Sequence, residues 1–182
     1  MEKPQTMHTC FPPLVTDDTR VLVLGSFPGK QSLIKQEYYG NPRNHFWELV
    51  FSFLGCPVPD TYQKKITLLL DSGLGLWDAI HACSREGSSD SAITNAKLNN
   101  ICALLATHER IKTVLCNGST SFRYACQACR HRKRKNADVV IDDCNALPEK
   151  QHDDSFLLTI EKFMCLEYNV TFLRLPSTSP IP

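Results

Sequence analysis

The chain has 182 residues, which is enough for one domain with a hydrophobic core and gives no sign of two. Its net charge of +1 gives no overall nucleic-acid signal, so such affinity would need a local patch. No apolar run reaches the roughly 20 residues of a membrane span, and the first residues lack the pattern of a secretory signal. The nine cysteines are therefore expected as free thiols in an intracellular compartment, nucleus or cytoplasm.

Apolar runs and helical spacing alternate along the chain. Residues 1–20 contain three prolines and predict an extended arm laid on the domain. The pattern predicts helices at 32–38, 46–54, 61–72, 99–108, 119–129 and 156–164. It predicts strands at 21–24, 73–77, 111–116 and 170–175. Strands that alternate with helices indicate a three-layer α/β/α sandwich around a short, mainly parallel four-stranded sheet.

Two segments near opposite ends of the chain carry the most specific patterns. One is VLVLGSFPGKQSLIKQEYYGNPRNHFW at 21–47, and the other is FLRLPSTSP at 172–180. In each, a polar loop follows the carboxyl end of an apolar strand, where α/β sheets form their ligand crevice. Together the two segments resemble the uracil-DNA glycosylase superfamily, and most closely its hypoxanthine (deoxyinosine) DNA glycosylase branch. The resemblance covers 11–180 except for 130–154, which is expected to be an insertion in a single domain spanning 1–182.

The resemblance implies a monofunctional DNA glycosylase of base excision repair. Such an enzyme flips a deaminated base, chiefly hypoxanthine, out of DNA and hydrolyses its N-glycosidic bond. Weak activity on uracil or xanthine would accompany it. Since no lysine occupies a matched position for a Schiff base, strand cleavage is not expected. The implied partner is DNA containing deaminated bases, bound by a monomer without a metal or nucleotide cofactor.

The loop YYGNPRNHFW is implied to form part of the active site. Asn44 is predicted to hold the attacking water, because an amide can donate and accept hydrogen bonds at once. Asn41 is the rival, and the alternative for Asn44 is a structural amide that bonds the loop backbone. Phe27 is predicted to stack on the base, with Phe46 and Trp47 in the core. Two further loop residues are assigned, one to the base and one to DNA: Tyr39 and Arg43.

Two strand-end positions distinguish this chain from better-known relatives, and a third matches the family. Those relatives have Asp or Asn where Ser26 stands, so Ser26 is the matched catalytic position. They also have His or Asn where Leu175 precedes Pro176, so an imidazole donor to the leaving base is absent. The hypoxanthine branch shares both departures. The resemblance further implies that Asn117 reads the flipped base, although Asn-Gly is also an ordinary turn signal.

The last loop is implied to press on the DNA backbone. Ser177, Thr178 and Ser179 supply hydroxyls and amides that suit phosphate, and an ordinary Pro-bounded turn is the alternative. Relatives continue with a helix behind this loop, whereas the sequence stops at Pro182. The C-terminal helix is therefore expected to be missing, and this form to be less active than a relative that carries the helix.

Other polar clusters leave alternatives open. Cys126 and Cys129 form a lone C-x-x-C, which is half of a zinc site, and the preferred interpretation is two thiols without metal. The basic run at 130–135 could contact phosphate, act as a nuclear address or be a solvated helix end. Arg85 could organise a loop near DNA or be a solvated surface charge. Two rival functions remain: a catalytically silent DNA-binding relative, and an α/β enzyme acting on free nucleosides.

Overall fold

The structure is a computed structural model that describes residues 6–135 and 162–179. Its strands are β1 (Met7–Thr9), β2 (Val21–Gly25), β3 (Leu74–Asp78), β4 (Ile80–Arg85), β5 (Ile93–Leu98), β6 (Thr113–Asn117), β7 (Lys162–Cys165) and β8 (Val170–Leu175). Its helices are α1 (Lys30–Lys35), α2 (Phe46–Phe53), α3 (Tyr62–Asp71), α4 (Ile101–Thr107) and α5 (Ser119–Lys135). A short 3₁₀ turn at Asp90–Ala92 precedes β5.

The central sheet has the strand order β3-β2-β6-β8-β7. The first four strands run parallel, and β7 joins the edge antiparallel to β8. Leu22, Val23 and Leu24 of β2 are all buried, so side chains on both faces of this strand are covered. Burial on both faces is what the crossovers of a parallel sheet produce, because they place helices on either side.

Two hydrophobic layers cover the faces of this sheet. On one face, α2 and α3 contribute Phe46, Trp47, Phe51, Ile66 and Leu69 to a cluster that includes Val23. On the other, residues of α4 and α5 pack in a cluster that includes Leu22 and Leu24. The predicted three-layer α/β/α sandwich is therefore confirmed.

A second sheet was not predicted from the sequence. It is antiparallel and has the order β1-β4-β5, and its middle strand β4 is separated from the end of β3 by one residue. Ile80 and Cys83 of β4 pack under Phe27, which follows β2. Strand β4 was not predicted because polar residues interrupt its apolar pattern and continue into the following loop. Strand β1 lies within the segment 1–20, which was expected to be an extended arm.

Two predicted boundaries were wrong at the far edge of the central sheet. The sheet has five strands rather than four, because 162–165 form β7 and not the end of a helix at 156–164. The ring of Phe163 stacks on Phe172 of β8 with centroids 4.2 Å apart, which favours pairing with that strand. Helix α5 continues to Lys135, so the basic run at 130–135 lies within this helix and not after it. Residues 136–161 lie outside the described residues. No helix within the described part of the chain is long and apolar enough to cross a membrane.

Candidate active site

The carboxyl ends of β2, β3, β6 and β8 meet at one edge of the central sheet and open into a cleft. Its volume is about 640 Å³. Residues predicted from the sequence to act in the site line it on several loops: Ser26, Phe27, Tyr39, Asn41, Asn44, Asn117, Ser177 and Ser179. The loop between α1 and α2 contributes the side-chain amides of Asn41 and Asn44 to this cleft. The structure thus brings these predicted residues together at one edge of the sheet.

One wall of the cleft is a network of hydrogen bonds between Asn44, Asn117, Thr178 and Tyr39, called here the amide wall. The Asn117 amide nitrogen donates to the Tyr39 hydroxyl at 3.1 Å and to Thr178 Oγ1 at 2.9 Å. The Thr178 backbone N–H donates to Asn117 Oδ1 at 2.9 Å. Thr178 Oγ1 donates in turn to Asn44 Oδ1 at 2.9 Å. The last loop is therefore held to β6 and to the loop before α2.

Gly118 allows β6 and the last loop to approach each other. Its φ of +98° lies in the region that L side chains rarely adopt. A Cβ placed there would lie 3.2 Å from Ser177 Cβ. The Asn-Gly pair is thus a turn, as the alternative interpretation held, and it also positions Asn117 at the edge of the cleft.

The network limits what Asn117 can offer to a flipped base. A side-chain amide has two N–H donors, and both donors of Asn117 already have acceptors within the protein. Base reading by Asn117 would require it to exchange the Tyr39 or Thr178 bond for one to the base. The assignment stays a prediction, and the geometry also gives Asn117 a role in fixing the last loop.

Asn44 and Asn41 differ in the hydrogen-bonding capacity they leave open. Asn44 Oδ1 accepts from the Phe46 N–H at 2.9 Å as well as from Thr178, so both of its lone pairs are engaged. Only its amide N–H groups remain for a water molecule. Asn41 Oδ1 accepts from the Arg43 N–H at 3.0 Å and keeps a second acceptor site. The structure thus gives Asn44 the backbone-bonding role posed as its alternative, without removing it from the cleft.

The aromatic residues divide between core and cleft. Phe46 and Trp47 are buried, as predicted. Tyr39 stacks on Phe46 with centroids 3.7 Å apart, and burial raises the pKa of its phenol, which therefore stays protonated. Phe27 lines the cleft but is only 6% exposed, and the Arg85 guanidinium lies 5.2 Å from its ring centroid. Little of the Phe27 ring is thus open for stacking on a base.

A second set of polar residues is charged and is called here the carboxyl wall; it consists of Ser26, Asp78 and Asp90, which line the cleft, and of Arg85, which pairs with Asp90. The Ser26 hydroxyl donates to Asp90 Oδ1 at 2.9 Å. Arg85 donates to the Pro28 carbonyl and pairs with Asp90 at 3.6 Å. Its side chain is only 3% exposed, so the interpretation as a solvated surface charge was wrong. Arg85 instead organises the loop that follows β2.

Asp78 at the end of β3 is a site residue that sequence reasoning missed. It lines the cleft and is 4% exposed. Burial, together with the nearby Asp90 charge and against the effect of Arg85, raises its pKa to about 8. A carboxyl directly after the apolar run Gly73 to Trp77 was the available signal, because it occupies the same edge as Ser26 and Asn117.

Cations at the rim suit a polyanion. Lys30 and Arg123 line the cleft, and neither was assigned from the sequence. Arg43, which was assigned to DNA, is exposed and does not line the cleft. Ser177 and Ser179 line it, whereas Thr178 lies behind them in the amide wall. The DNA-binding assignments stay predictions.

The cysteines within 6–135 and 162–179 do not line the cleft. Cys129 of α5 is 3.9 Å from Cys102 of α4, measured between sulfurs. No group of three or more His, Cys, Asp or Glu within 6–135 and 162–179 is arranged to hold a metal ion. Cys144 and His152, which could complete a zinc site, lie outside the described residues. The interpretation of Cys126 and Cys129 as metal-free thiols stays a prediction.

Comparison with known proteins agrees with this geometry. The family model described as the uracil DNA glycosylase superfamily matches residues 12–181. Over 115 residues, the chain is 39% identical to the hypoxanthine DNA glycosylase of Methanosarcina acetivorans and 38% identical to that of Methanosarcina barkeri. Each match covers 63% of this chain and 73% of the relative.

A solved structure shares the fold. It is the solution NMR structure of a Methanosarcina acetivorans protein provisionally named a uracil DNA glycosylase. The TM-score is 0.66 at 28% identity, and the match covers 96% of this chain and 86% of that one. The family match spans nearly the whole chain, and the site lies where the two motif segments meet. The chain therefore belongs to the uracil DNA glycosylase superfamily.

Proposed function

We propose that this protein is a monofunctional DNA glycosylase that removes hypoxanthine from DNA. The observation that carries the proposal is the meeting of the two motif segments at one cleft, through the bonds of Thr178 to Asn117 and Asn44. Two relatives at 38–39% identity bear the name hypoxanthine DNA glycosylase, which supports the same substrate. The cleft of about 640 Å³ lies within the range of small-molecule sites, so it can take an extruded base.

The reaction breaks the bond between C1′ of the sugar and N9 of the base. The bonding electrons leave with the base, a water oxygen adds to C1′, and a proton is transferred to the base. Positive charge develops on the sugar and negative charge on the base in the transition state. The protein contributes by holding the base, orienting the water and stabilising the leaving group.

The open amide groups at the cleft are the candidates for orienting the water. Asn44 can donate an N–H to it, and Asn41 can accept from it through the free side of Oδ1. Ser26, at the position where relatives have Asp or Asn, bonds Asp90 and so holds the loop after β2. No side chain is thereby assigned as a strong base, which suits a reaction in which water adds to a sugar that has already become positively charged.

The surroundings of the cleft support DNA as the partner. Lys30 and Arg123 at the rim offer phosphate contacts, and Ser177 and Ser179 offer hydroxyls. Such contacts supply affinity that falls as salt rises. We propose further that the protein acts as a monomer and is located where DNA is, in the nucleus or cytoplasm.

A strand-cleavage assay tests this function. A labelled duplex with one inosine is incubated with the protein, then divided into samples with and without hot alkali, and resolved on a denaturing gel. Breakage only after alkali is expected, since a monofunctional glycosylase leaves an intact abasic strand. Duplexes with uracil or xanthine should react more slowly, and an unmodified duplex should not react.

The same assay separates the rival functions. A silent relative would shift the duplex in a binding gel without producing alkali-labile sites. An enzyme of free nucleosides would release hypoxanthine from inosine in solution and leave the duplex intact. Either result would overturn the proposal.

A further inference from the structure

Three cysteine side chains from separate elements meet on the face of the central sheet that α4 and α5 cover. Cys102 lies in α4, Cys129 in α5 and Cys165 at the end of β7. Each belongs to the hydrophobic cluster of that face or packs against it. They are called here the thiol cluster. None of the three lines the cleft, so the proposed reaction gives them no role.

The three sulfurs lie within hydrogen-bonding distance of one another. Cys102 Sγ donates to Cys129 Sγ at 3.9 Å. Cys165 makes side-chain hydrogen bonds with both of the others. Since the sulfurs of a disulfide are about 2.05 Å apart, the sulfurs of Cys102 and Cys129 need to approach by about 2 Å to bond. That distance is on the scale of a side-chain rotation and requires no displacement of a helix.

Exposure distinguishes Cys129 from its two neighbours. Cys102 is 3% exposed and Cys165 is 7% exposed, whereas Cys129 is partly exposed. Cys129 also makes hydrogen bonds with both of the others. A small oxidant can therefore reach the cluster beside Cys129, and either neighbour is close enough to bond with it.

The hydrogen bonds distribute protons unequally within the cluster. Those from Cys102 and Cys129 lower the pKa of the Cys165 thiol. Those with Cys102 and Cys165, together with burial, raise the pKa of the Cys129 thiol. The thiolate is the form of cysteine that attacks an oxidant. The cluster thus places a sulfur that ionises readily next to a thiol that keeps its proton.

We propose that the thiol cluster is a site of reversible oxidation, at which a peroxide converts Cys129 and one of its two neighbours into a disulfide. A thiolate attacks one oxygen of hydrogen peroxide and the O–O bond breaks. Hydroxide leaves and takes up a proton to become water, and the attacking sulfur becomes a sulfenic acid. The neighbouring thiol then attacks that sulfur, its proton leaves with the hydroxyl group as a second water, and the S–S bond forms. Two thiols are oxidised and one peroxide is reduced.

The bond ties α5 either to α4 or to β7. Helix α5 begins directly after Gly118, and Ser119, Thr120 and Arg123 near its start line the cleft. Cys129 lies further along the same helix, so the bond forms outside the cleft. The third thiol of the cluster stays available to reopen the bond by exchange. The disulfide also protects its two sulfurs from irreversible oxidation to sulfinic acid.

Peptide mapping after peroxide treatment tests the inference. The protein is treated with hydrogen peroxide, its remaining thiols are blocked with iodoacetamide, and it is digested without reduction. Mass spectrometry should find Cys129 linked to Cys102 or Cys165, and dithiothreitol should remove the link. Absence of a disulfide, or a disulfide that omits Cys129 or joins it to Cys126, would overturn the proposal.

Serine variants identify the partners. Cys129→Ser should abolish the disulfide. Cys102→Ser and Cys165→Ser should each keep one, because the other neighbour remains. Cys56→Ser, between α2 and α3, is the matched control outside the cluster and should behave like the wild type. A disulfide that persists in Cys129→Ser would contradict the central place given to Cys129.

Urea unfolding shows whether the layer accepts the bond without distortion. Oxidised wild type should unfold at a higher urea concentration than reduced wild type, because a cross-link restricts the unfolded chain. Cys129→Ser should show no such shift on oxidation. An unchanged or lower midpoint for the oxidised wild type would make the cluster a site of damage and overturn the proposal. These measurements need no DNA, so they decide the inference independently of the proposed function.

Discussion

The two walls of the cleft differ in how far the protein satisfies their polar groups. In the amide wall, Asn117 and Thr178 meet their hydrogen-bonding needs within the protein. In the carboxyl wall, Asp78 Oδ2 and Arg85 Nη1 are buried and make no hydrogen bond within the described residues, although Nη1 forms a longer ion pair with Asp90 at 3.6 Å. A satisfied network fixes geometry, whereas buried atoms without partners are a cost in the free protein that a ligand can remove. The amide wall thus holds the loops together, whereas the carboxyl wall keeps two buried polar atoms that have no hydrogen bond among the described residues.

The largest expected effect comes from removing the amides that orient water. Asn41→Ala and Asn44→Ala should each lower single-turnover excision by about 10²–10⁴-fold, the range typical of a positioned acid or base. They should differ in stability. Asn44→Ala also removes the acceptor for the Phe46 N–H and for Thr178, so it should lower the free energy of unfolding by about 1–3 kcal/mol.

Urea unfolding of both variants beside single-turnover rates checks this difference. Asn41→Ala should unfold like the wild type, because among the described residues the Asn41 side chain makes a single local bond, to the Arg43 N–H. If Asn41→Ala excised at the wild-type rate, water orientation would belong to Asn44 alone, as the sequence analysis preferred. If neither variant lost activity, the amide wall would have no part in the chemistry.

The next effect tests how tightly the carboxyl wall is built. Gly25→Ala places a methyl group where Asp78 Oδ1 lies, at 2.5 Å, so the carboxyl must move. A displacement of about 1 Å in a reacting group can cost about 10²-fold in rate, and that loss is expected here.

Gly29→Ala is the matched control for this substitution. It lies in the same loop after β2, and its Cβ would lie 3.8 Å from its nearest neighbour, Ser88 Oγ, which is ordinary contact. Excision by Gly29→Ala should stay within a few-fold of the wild type, as judged by the inosine assay. Equal rates for Gly25→Ala and Gly29→Ala would mean that the position of Asp78 does not matter.

The sequence predicted the amide wall better than the carboxyl wall, for a physical reason. Asn44, Asn117 and Thr178 lie in two contiguous segments with recognisable turn residues, so local pattern locates them. Arg85 and Asp90 reach the site through β4 and the turn before β5, elements whose mixed polar pattern gave no strand signal. The hydrogen bond from Ser26 to Asp90 joins residues 64 positions apart. It forms where the second sheet packs on Phe27, a contact that local sequence pattern does not reveal.

A smaller effect distinguishes support from base reading at Asn117. Asn117→Ala removes the bonds to Tyr39 and Thr178, so we expect it to lower the free energy of unfolding by about 1–3 kcal/mol. Excision should fall by roughly tenfold, since the last loop loosens while the rest of the cleft keeps its geometry.

Thr178→Val removes the hydroxyl that accepts a hydrogen bond from Asn117. Thr67→Val, on the exposed side of α3, is its matched surface control. Thr178→Val should reproduce part of the Asn117→Ala loss in stability, and Thr67→Val should not. Loss of nearly all excision by Asn117→Ala, with unchanged stability and unchanged duplex affinity, would restore Asn117 as the residue that reads the base.

The last expected effect is on stability alone, a pH-dependent gain on replacing Asp78. Burial raises the pKa of this carboxyl from 3.8 to about 8 in the folded protein, with Asp90 adding to the rise and Arg85 opposing it. Between those two values the folded state holds a proton that the unfolded state has released. Stability therefore falls as pH rises across this window, because the unfolded state binds fewer protons. Asp78→Asn has no such proton, so its advantage over the wild type in free energy of unfolding should grow from about pH 4 to about pH 8 and then level off. Urea unfolding at several pH values, with Asp71→Asn as the surface control, measures this advantage. A constant difference at all pH values would mean that Asp78 is ionised in the cleft, and the carboxyl wall would then carry a charge.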